Sequence, residues 1–176
     1  MICIPNLLIV AGTGSKSGKT TIACRLIEQF NDNGIVAVRI SPHFHEKSAG
    51  LNDFISGDGY AVYRETNPDT GKDTSRMLRA GADKVYLALV WNDSIQEVFV
   101  NLVNRIPGDV PVICESQLLR NFIEPGLFVI ISSASEKKRS DINETPEMPC
   151  IKFQLEELGN IQSLPVSFRN GKWSQL

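Results

Sequence analysis

The residues best suited to chemistry lie near the start of the chain. In LLIVAGTGSKSGKTTIACRLI, Leu7 to Ile27, an apolar run gives way to glycine, serine and threonine, and then to Lys19 and Thr20. A bound triphosphate needs many hydrogen-bond donors close together and little side-chain bulk in the way. Glycines and small residues let backbone N–H groups converge on phosphate oxygens. A helix that begins where the loop ends adds its dipole and its unpaired amides. Lys19 is expected to reach the β- and γ-phosphates, and Thr20 to place its hydroxyl on Mg²⁺. The nucleotide-contacting stretch is therefore Thr13, Gly14, Ser15, Lys16, Ser17, Gly18, Lys19, Thr20 and Thr21, with GTP or ATP as the ligand.

The spacing sharpens this expectation. In G-x-x-x-x-G-K-[ST] counted back from Gly18, the first glycine falls on Thr13, with Gly12 and Gly14 on either side. The dinucleotide fingerprint G-x-G-x-x-G fails, because Gly12, Gly14 and Gly18 are wrongly spaced for it. Within this stretch Lys16 reads more simply as a solvated lysine of the loop. Mg²⁺ needs further oxygen ligands, and these gather at the C-terminal ends of neighbouring buried strands. Glu115, closing VPVIC, is the candidate, with Thr20 as the other metal ligand. A further acid could come from Asp53, Asp58, Glu65 or Asp73, between which the sequence does not choose. HFHE (His43, Phe44, His45, Glu46) has the donors of a zinc pair but no third-ligand spacing. A place on the rim of the phosphate site suits it better.

Elements that would position these residues follow from periodicity. Asn6 to Ala11 suits a strand buried on both faces. Ile22, Ala23, Leu26, Ile27 and Phe30 form one helical stripe, stopped at Asn33-Gly34. Ile35 to Ile40 is a second buried strand, giving a βαβ unit with parallel strands and a right-handed crossover. Ser41 to Gly71 is polar and without helical period, and reads as a long loop in which YAVYRET could form a short strand. Lys72 to Asp83 holds a short helix ended at Gly81. Val85 to Trp91, Val110 to Glu115 and Gly126 to Ser133 are further strands. SIQEVFVNLVNRI is a helix opened by a Ser94–Glu97 capping box, with Ile95, Val98, Phe99, Leu102, Val103 and Ile106 buried. EKKRSDINETPEMP is a solvated connector. Asn170-Gly171 between alternating residues marks a hairpin.

The chain has 176 residues, 42% apolar and 22% charged, with net charge −2. That favours one soluble globular domain over 1–176 with no general attraction for nucleic acid or an anionic membrane. Its apolar runs are too short for a bilayer, and the N-terminus lacks a basic leader. Cys3, Cys24, Cys114 and Cys150 are scattered, which fits buried thiols in a reducing cytoplasm.

The form G-T-x-x-x-x-G-K-T is shared with P-loop enzymes similar to dethiobiotin synthetase and the cobyrinate amidating enzymes. A closer likeness covers about residues 6 to 133. AGTGSKSGKTT, IVAVRISPHFHE, GKDTSRMLRAGAD and VPVICES, in this order, resemble the successive blocks of the molybdopterin-guanine dinucleotide biosynthesis protein B family. Gly71, Lys72, Asp73, Thr74, Arg76, Ala80, Gly81 and Ala82 fit its third block, His43 one of its histidines and Glu115 its acid. Ser116 replaces the usual glycine, Pro42 stands where a polar residue is usual, and SQLLRNFIEPG lacks the family's lysine pattern.

The resemblance implies an α/β, three-layer P-loop NTPase fold with a mostly parallel sheet. It also implies a cytoplasmic GTP-binding adaptor of molybdenum cofactor maturation, homodimeric, with a partner enzyme and slow hydrolysis. Lys19, Asp73 and Arg76 would then be its catalytic residues, Lys19 neutralising charge and Asp73 and Arg76 lying near the γ-phosphate or a partner surface. The alternative is an ATP-dependent enzyme activating a carboxylate or carbamate. Against it, Arg39 stands where such enzymes tend to place a substrate lysine.

Overall fold

The computed structural model describes residues 1–12, 14, 17–44, 47–133 and 148–176. Eight strands form one sheet: β1 (Ile2–Gly12), β2 (Val36–Ser41), β3 (Leu51–Gly57), β4 (Tyr60–Glu65), β5 (Lys84–Val90), β6 (Val112–Glu115), β7 (Ile123–Ser132) and β8 (Cys150–Gln154). Their order is β3-β4-β5-β2-β6-β1-β7-β8. From β5 to β8 every pairing is parallel, whereas β3 and β4 form an antiparallel hairpin on one edge. Three helices, α1 (Lys19–Gln29), α2 (Asp73–Arg79) and α3 (Ile95–Val103), connect the strands, and β9 (Val166–Arg169) with β10 (Lys172–Gln175) makes a separate antiparallel hairpin. The architecture is thus mixed α/β with a large, mostly parallel sheet.

The alternation of side chains along the strands sorts the core into two clusters. Leu7, Ile9 and Ala11 of β1 face the side on which α3 packs Ile95, Val98, Phe99 and Leu102. Leu8 and Val10 face the opposite side, covered by Ile22, Leu26 and Ile27 of α1, Met77 of α2 and Trp173 of β10. A strand buried on both faces has no polar side to show, which is why β1 reads as an apolar run rather than an alternation.

The C-terminal hairpin forms as expected. Asn170 (φ 52°) and Gly171 (φ 71°) both take the left-handed conformation that a two-residue turn of this hand demands. It carries Trp173, fully buried, against Phe30 edge-on at 5.0 Å and Phe168 at 4.9 Å.

Other expectations need correction. The stretch from Ser41 to Gly71 is not one long loop: it contains β3 as well as β4, joined by a turn at Gly59 (φ 76°). β3 was illegible because it lies at the sheet edge, with Asn52, Asp53 and Phe54 exposed, and so carries no buried pattern. The Ser94–Glu97 capping box is absent. Ser94 ends a 3-10 turn in helical backbone (φ −100°, ψ −3°), so its hydroxyl makes no cap bond. β8 was not expected at all. Of the four cysteines, all free, only Cys114 is buried, while Cys3 is exposed and Cys24 and Cys150 are intermediate. Most of the charged connector lies outside the described residues. Among the described residues, no helix is long and apolar enough to cross a membrane.

Candidate functional site

β1, β2 and β6 end side by side, and their register assembles the site. Val10 of β1 and Arg39 of β2 both pair with Glu115 of β6. Glu115 and Arg39 project to the side that carries α1 and α2. Glu115 Oε2 accepts the Thr20 hydroxyl at 2.8 Å, and Arg39 Nη1 donates to Glu115 Oε1 at 2.8 Å. The same nitrogen lies 2.5 Å from Asp73 Oδ2 and 3.4 Å from Thr20 Oγ1. Arg76 completes the group, 3.5 Å from Asp73 Oδ1 and 3.4 Å from Thr21 Oγ1. Two strands and two helices therefore meet through six side chains.

Burial pushes the Glu115 carboxyl above its usual range, and the Arg39 guanidinium and the Thr20 hydrogen bond only partly offset this. The ionised form is costly to hold in a site closed by protein alone, and another cation nearby would relieve that cost.

The loop before α1 is built for close approach. Gly18 sits at φ 94°, a conformation natural only to glycine, and turns the chain into the helix. A Cβ on Gly12 would lie 2.1 Å from Ser17 Oγ, so the strand must end in glycine for the loop to fold over it. Ser17 Oγ donates to the Gly14 carbonyl at 3.0 Å, and Lys19 Nζ reaches the same carbonyl at 2.5 Å. No side chain caps α1, and no acidic residue stands in its first turn. A missing cap costs a helix about 1 kcal/mol, and an anion at that end supplies the acceptor that a cap would have supplied.

Two cavities flank this network. One, about 380 Å³, is lined by Ser17, Gly18, Lys19, Thr20, Thr21, Arg39, Asp73, Arg76 and Glu115. The other, about 370 Å³, shares Lys19, Arg39 and Glu115 and is bounded by Ile40, Ser41, His43, Ile95, Gln117 and Leu118. Three cations (Lys19, Arg39, Arg76) face two carboxylates (Asp73, Glu115) across the first cavity, which leaves an excess of positive charge for an anion.

The structure thus brings together Gly14, Ser17, Gly18, Lys19, Thr20, Thr21, Asp73, Arg76 and Glu115. Thr13, Ser15, Lys16, His45 and Glu46 lie outside the described residues. His43 is exposed and lines the second cavity. Of the four further acids, only Asp73 enters the network. Glu65 is buried, accepting the Thr74 hydroxyl at 2.8 Å and the amides of Thr66 and Asn67 at 3.1 and 2.9 Å, so it anchors the start of α2. Asp53 pairs with Lys47 at 2.8 Å, and Asp58 sits exposed near the β3–β4 turn.

Arg39 was passed over as a site residue, although a charge inside the apolar strand VAVRI is itself the signal. Gln117, whose Nε2 donates to the Gly12 carbonyl at 2.8 Å, left no such mark. Ser116, standing where the resemblance expects glycine, accepts the amides of Leu118 and Leu119 at 3.3 and 3.1 Å and so starts the 3-10 turn Leu119–Asn121.

The donor set also bears on the metal. Among the described residues, no group of three or more His, Cys, Asp or Glu could hold an ion by itself. Mg²⁺ does not require one, since it keeps waters and phosphate oxygens and takes only one or two carboxylates. The Thr20 hydroxyl and the Glu115 carboxylate, hard oxygen donors beside the loop that precedes α1, fit that habit. No protein-family model, no curated protein and no solved structure matches this chain.

Proposed function

We propose that this chain is a P-loop protein that binds GTP or ATP with Mg²⁺ and hydrolyses it slowly. It would act as an adaptor of the kind found in the molybdopterin-guanine dinucleotide protein B family. The observation that carries the reading is the uncapped start of α1 at Gly18. Lys19 and Thr20 stand in its first turn, and Thr20 is hydrogen-bonded to Glu115 at the end of an adjacent parallel strand. Backbone amides from Gly14 to Thr20 and the Lys19 ammonium would hold the phosphates, with Arg76 and Asp73 at their far side. Thr20 and Glu115 would hold Mg²⁺, which supplies neutralisation of phosphate charge. Slow turnover is supported by the lining of the first cavity: Asp73 and Glu115 are its two acids, and among the described residues it offers no further carboxylate or histidine to orient a water once they are engaged.

Calorimetry of the purified protein with GTP and with ATP, each with and without Mg²⁺, tests the reading. One of the two should bind in the micromolar range with Mg²⁺. Lys19→Ala should weaken it at least a hundredfold, equivalent to about 2.7 kcal/mol. If neither binds more tightly than millimolar, the proposal falls.

A second reading has its own support. The cavity of about 370 Å³ beside the phosphate site, with apolar walls at Ile40, Ile95 and Leu118, is large enough for a small second substrate. The chain would then be an ATP-dependent enzyme that activates a carboxylate or carbamate. Steady ATP consumption that rises on adding a diamine or a carboxylate would favour it over the adaptor.

A further inference from the structure

Arg39 belongs to both cavities, and a single atom of it is the hub of the site. Nη1 lies 2.8 Å from Glu115 Oε1, 2.5 Å from Asp73 Oδ2 and 3.4 Å from Thr20 Oγ1. These oxygens come from β6, α2 and α1. Two carboxylates and a hydroxyl form the kind of donor set that a hard divalent cation takes, and here they surround one positive nitrogen. A guanidinium and a divalent ion repel each other and cannot share so small a volume.

We propose that Arg39 is a built-in cation gate. Its guanidinium holds the place between Thr20, Glu115 and Asp73, and it must withdraw before those oxygens can take a divalent metal. The inference rests on the reading of Thr20 and Glu115 as metal ligands. Withdrawal is sterically open, because the Arg39 side chain is only partly buried and borders the 370 Å³ cavity, into which it can turn without disturbing the core. The gate also reaches α2. Asp73 is the first residue of that helix, and once Arg39 leaves, its remaining partner is Arg76 on the same helix at 3.5 Å. Metal entry would therefore exchange the link that Arg39 makes between α2 and the sheet for one through the metal.

A structural ion pair would use the same contacts, but the two roles part under mutation. The test is titration of the full chain with Mn²⁺ alone, free Mn²⁺ being read by electron paramagnetic resonance. Because no nucleotide is present, the result is separate from that of the nucleotide titrations. Arg39→Met should bind Mn²⁺ at least tenfold more tightly than the unaltered protein, and adding Glu115→Gln should abolish the gain. Arg76→Met removes one positive charge from the same neighbourhood without vacating the centre, so its gain should be several-fold smaller. If Arg39→Met does not fold, Arg39→Lys keeps a charge but is too short to bridge both carboxylates, and should show a smaller gain in the same direction. Equal gains for Arg39→Met and Arg76→Met would reduce the effect to net charge. No gain in any folded Arg39 variant, or a gain that survives Glu115→Gln, would overturn the gate.

Discussion

At the scale of single residues, Glu115 and Cys24 show how burial governs protonation. Burial raises the Glu115 carboxyl despite Arg39, so the folded chain holds this proton more tightly than the unfolded one. The associated stability is complete below the ordinary value of 4.5 and is lost as pH rises through the folded value. Glu115→Gln should therefore melt no lower than the parent at pH 7, while its nucleotide affinity no longer responds to Mg²⁺. Melting curves and calorimetry on the same sample check both halves; a fall of several degrees would show that the charged pair with Arg39 outweighs burial. Cys24 is pushed from 9.0 to about 11, chiefly by burial and against the pull of Arg76. Its thiol is thus the poorer nucleophile at pH 8, and timed iodoacetamide labelling should modify exposed Cys3 well before Cys24. By the same linkage, Cys24 contributes stability that is present below pH 9 and lost between about 9 and 11. In Cys24→Ala that alkaline loss should shrink.

At the scale of elements, the C-terminal hairpin closes the core over α1. Trp173 is fully buried, and its indole nitrogen has no hydrogen-bond partner among the described residues, so its role is packing alone. Trp173→Ala should cost about 3–5 kcal/mol, and Trp173→Phe, which sacrifices no hydrogen bond, much less. Urea unfolding of both variants measures the difference; equal costs would mean that the indole nitrogen matters after all. This hairpin was legible because Asn-Gly specifies its turn locally. α1 was legible because burial on one face leaves a period, and β1, β2 and β5 because burial on both faces leaves an apolar run. β3 was not, since an edge strand can satisfy itself with mixed polar residues, and β8 was not because Ile151 and Phe153 alone are too short an alternation to stand out. The site divides in the same way. Its loop and Glu115 follow from spacing and from strand ends, whereas the convergence on Arg39 depends on the register between β2 and β6, which no local pattern reveals.

At the scale of the whole molecule, the proposed nucleotide site sits where β1, β6, β2 and α1 meet, and so ligand binding and global stability are coupled. A ligand at a hundred times its Kd adds about 2.7 kcal/mol, which for a chain of this size raises Tm by about 5–10 °C. A thermal shift with the preferred nucleotide and Mg²⁺ should show that rise, and Lys19→Ala should remove it. A rise that persists in Lys19→Ala would place the ligand elsewhere.

The register of β1 has a further consequence, for how the protein is made. Leu7 pairs with Val112 and Leu8 with Leu127, so β1 leaves the ribosome about a hundred residues before these partners do. Until β6 and β7 have been translated, a greasy ribbon with two open edges hangs from the nascent chain, and such ribbons invite aggregation. Folding of the central sheet is thus a late event, and the nascent chain is most exposed to aggregation while β1 waits for its partners.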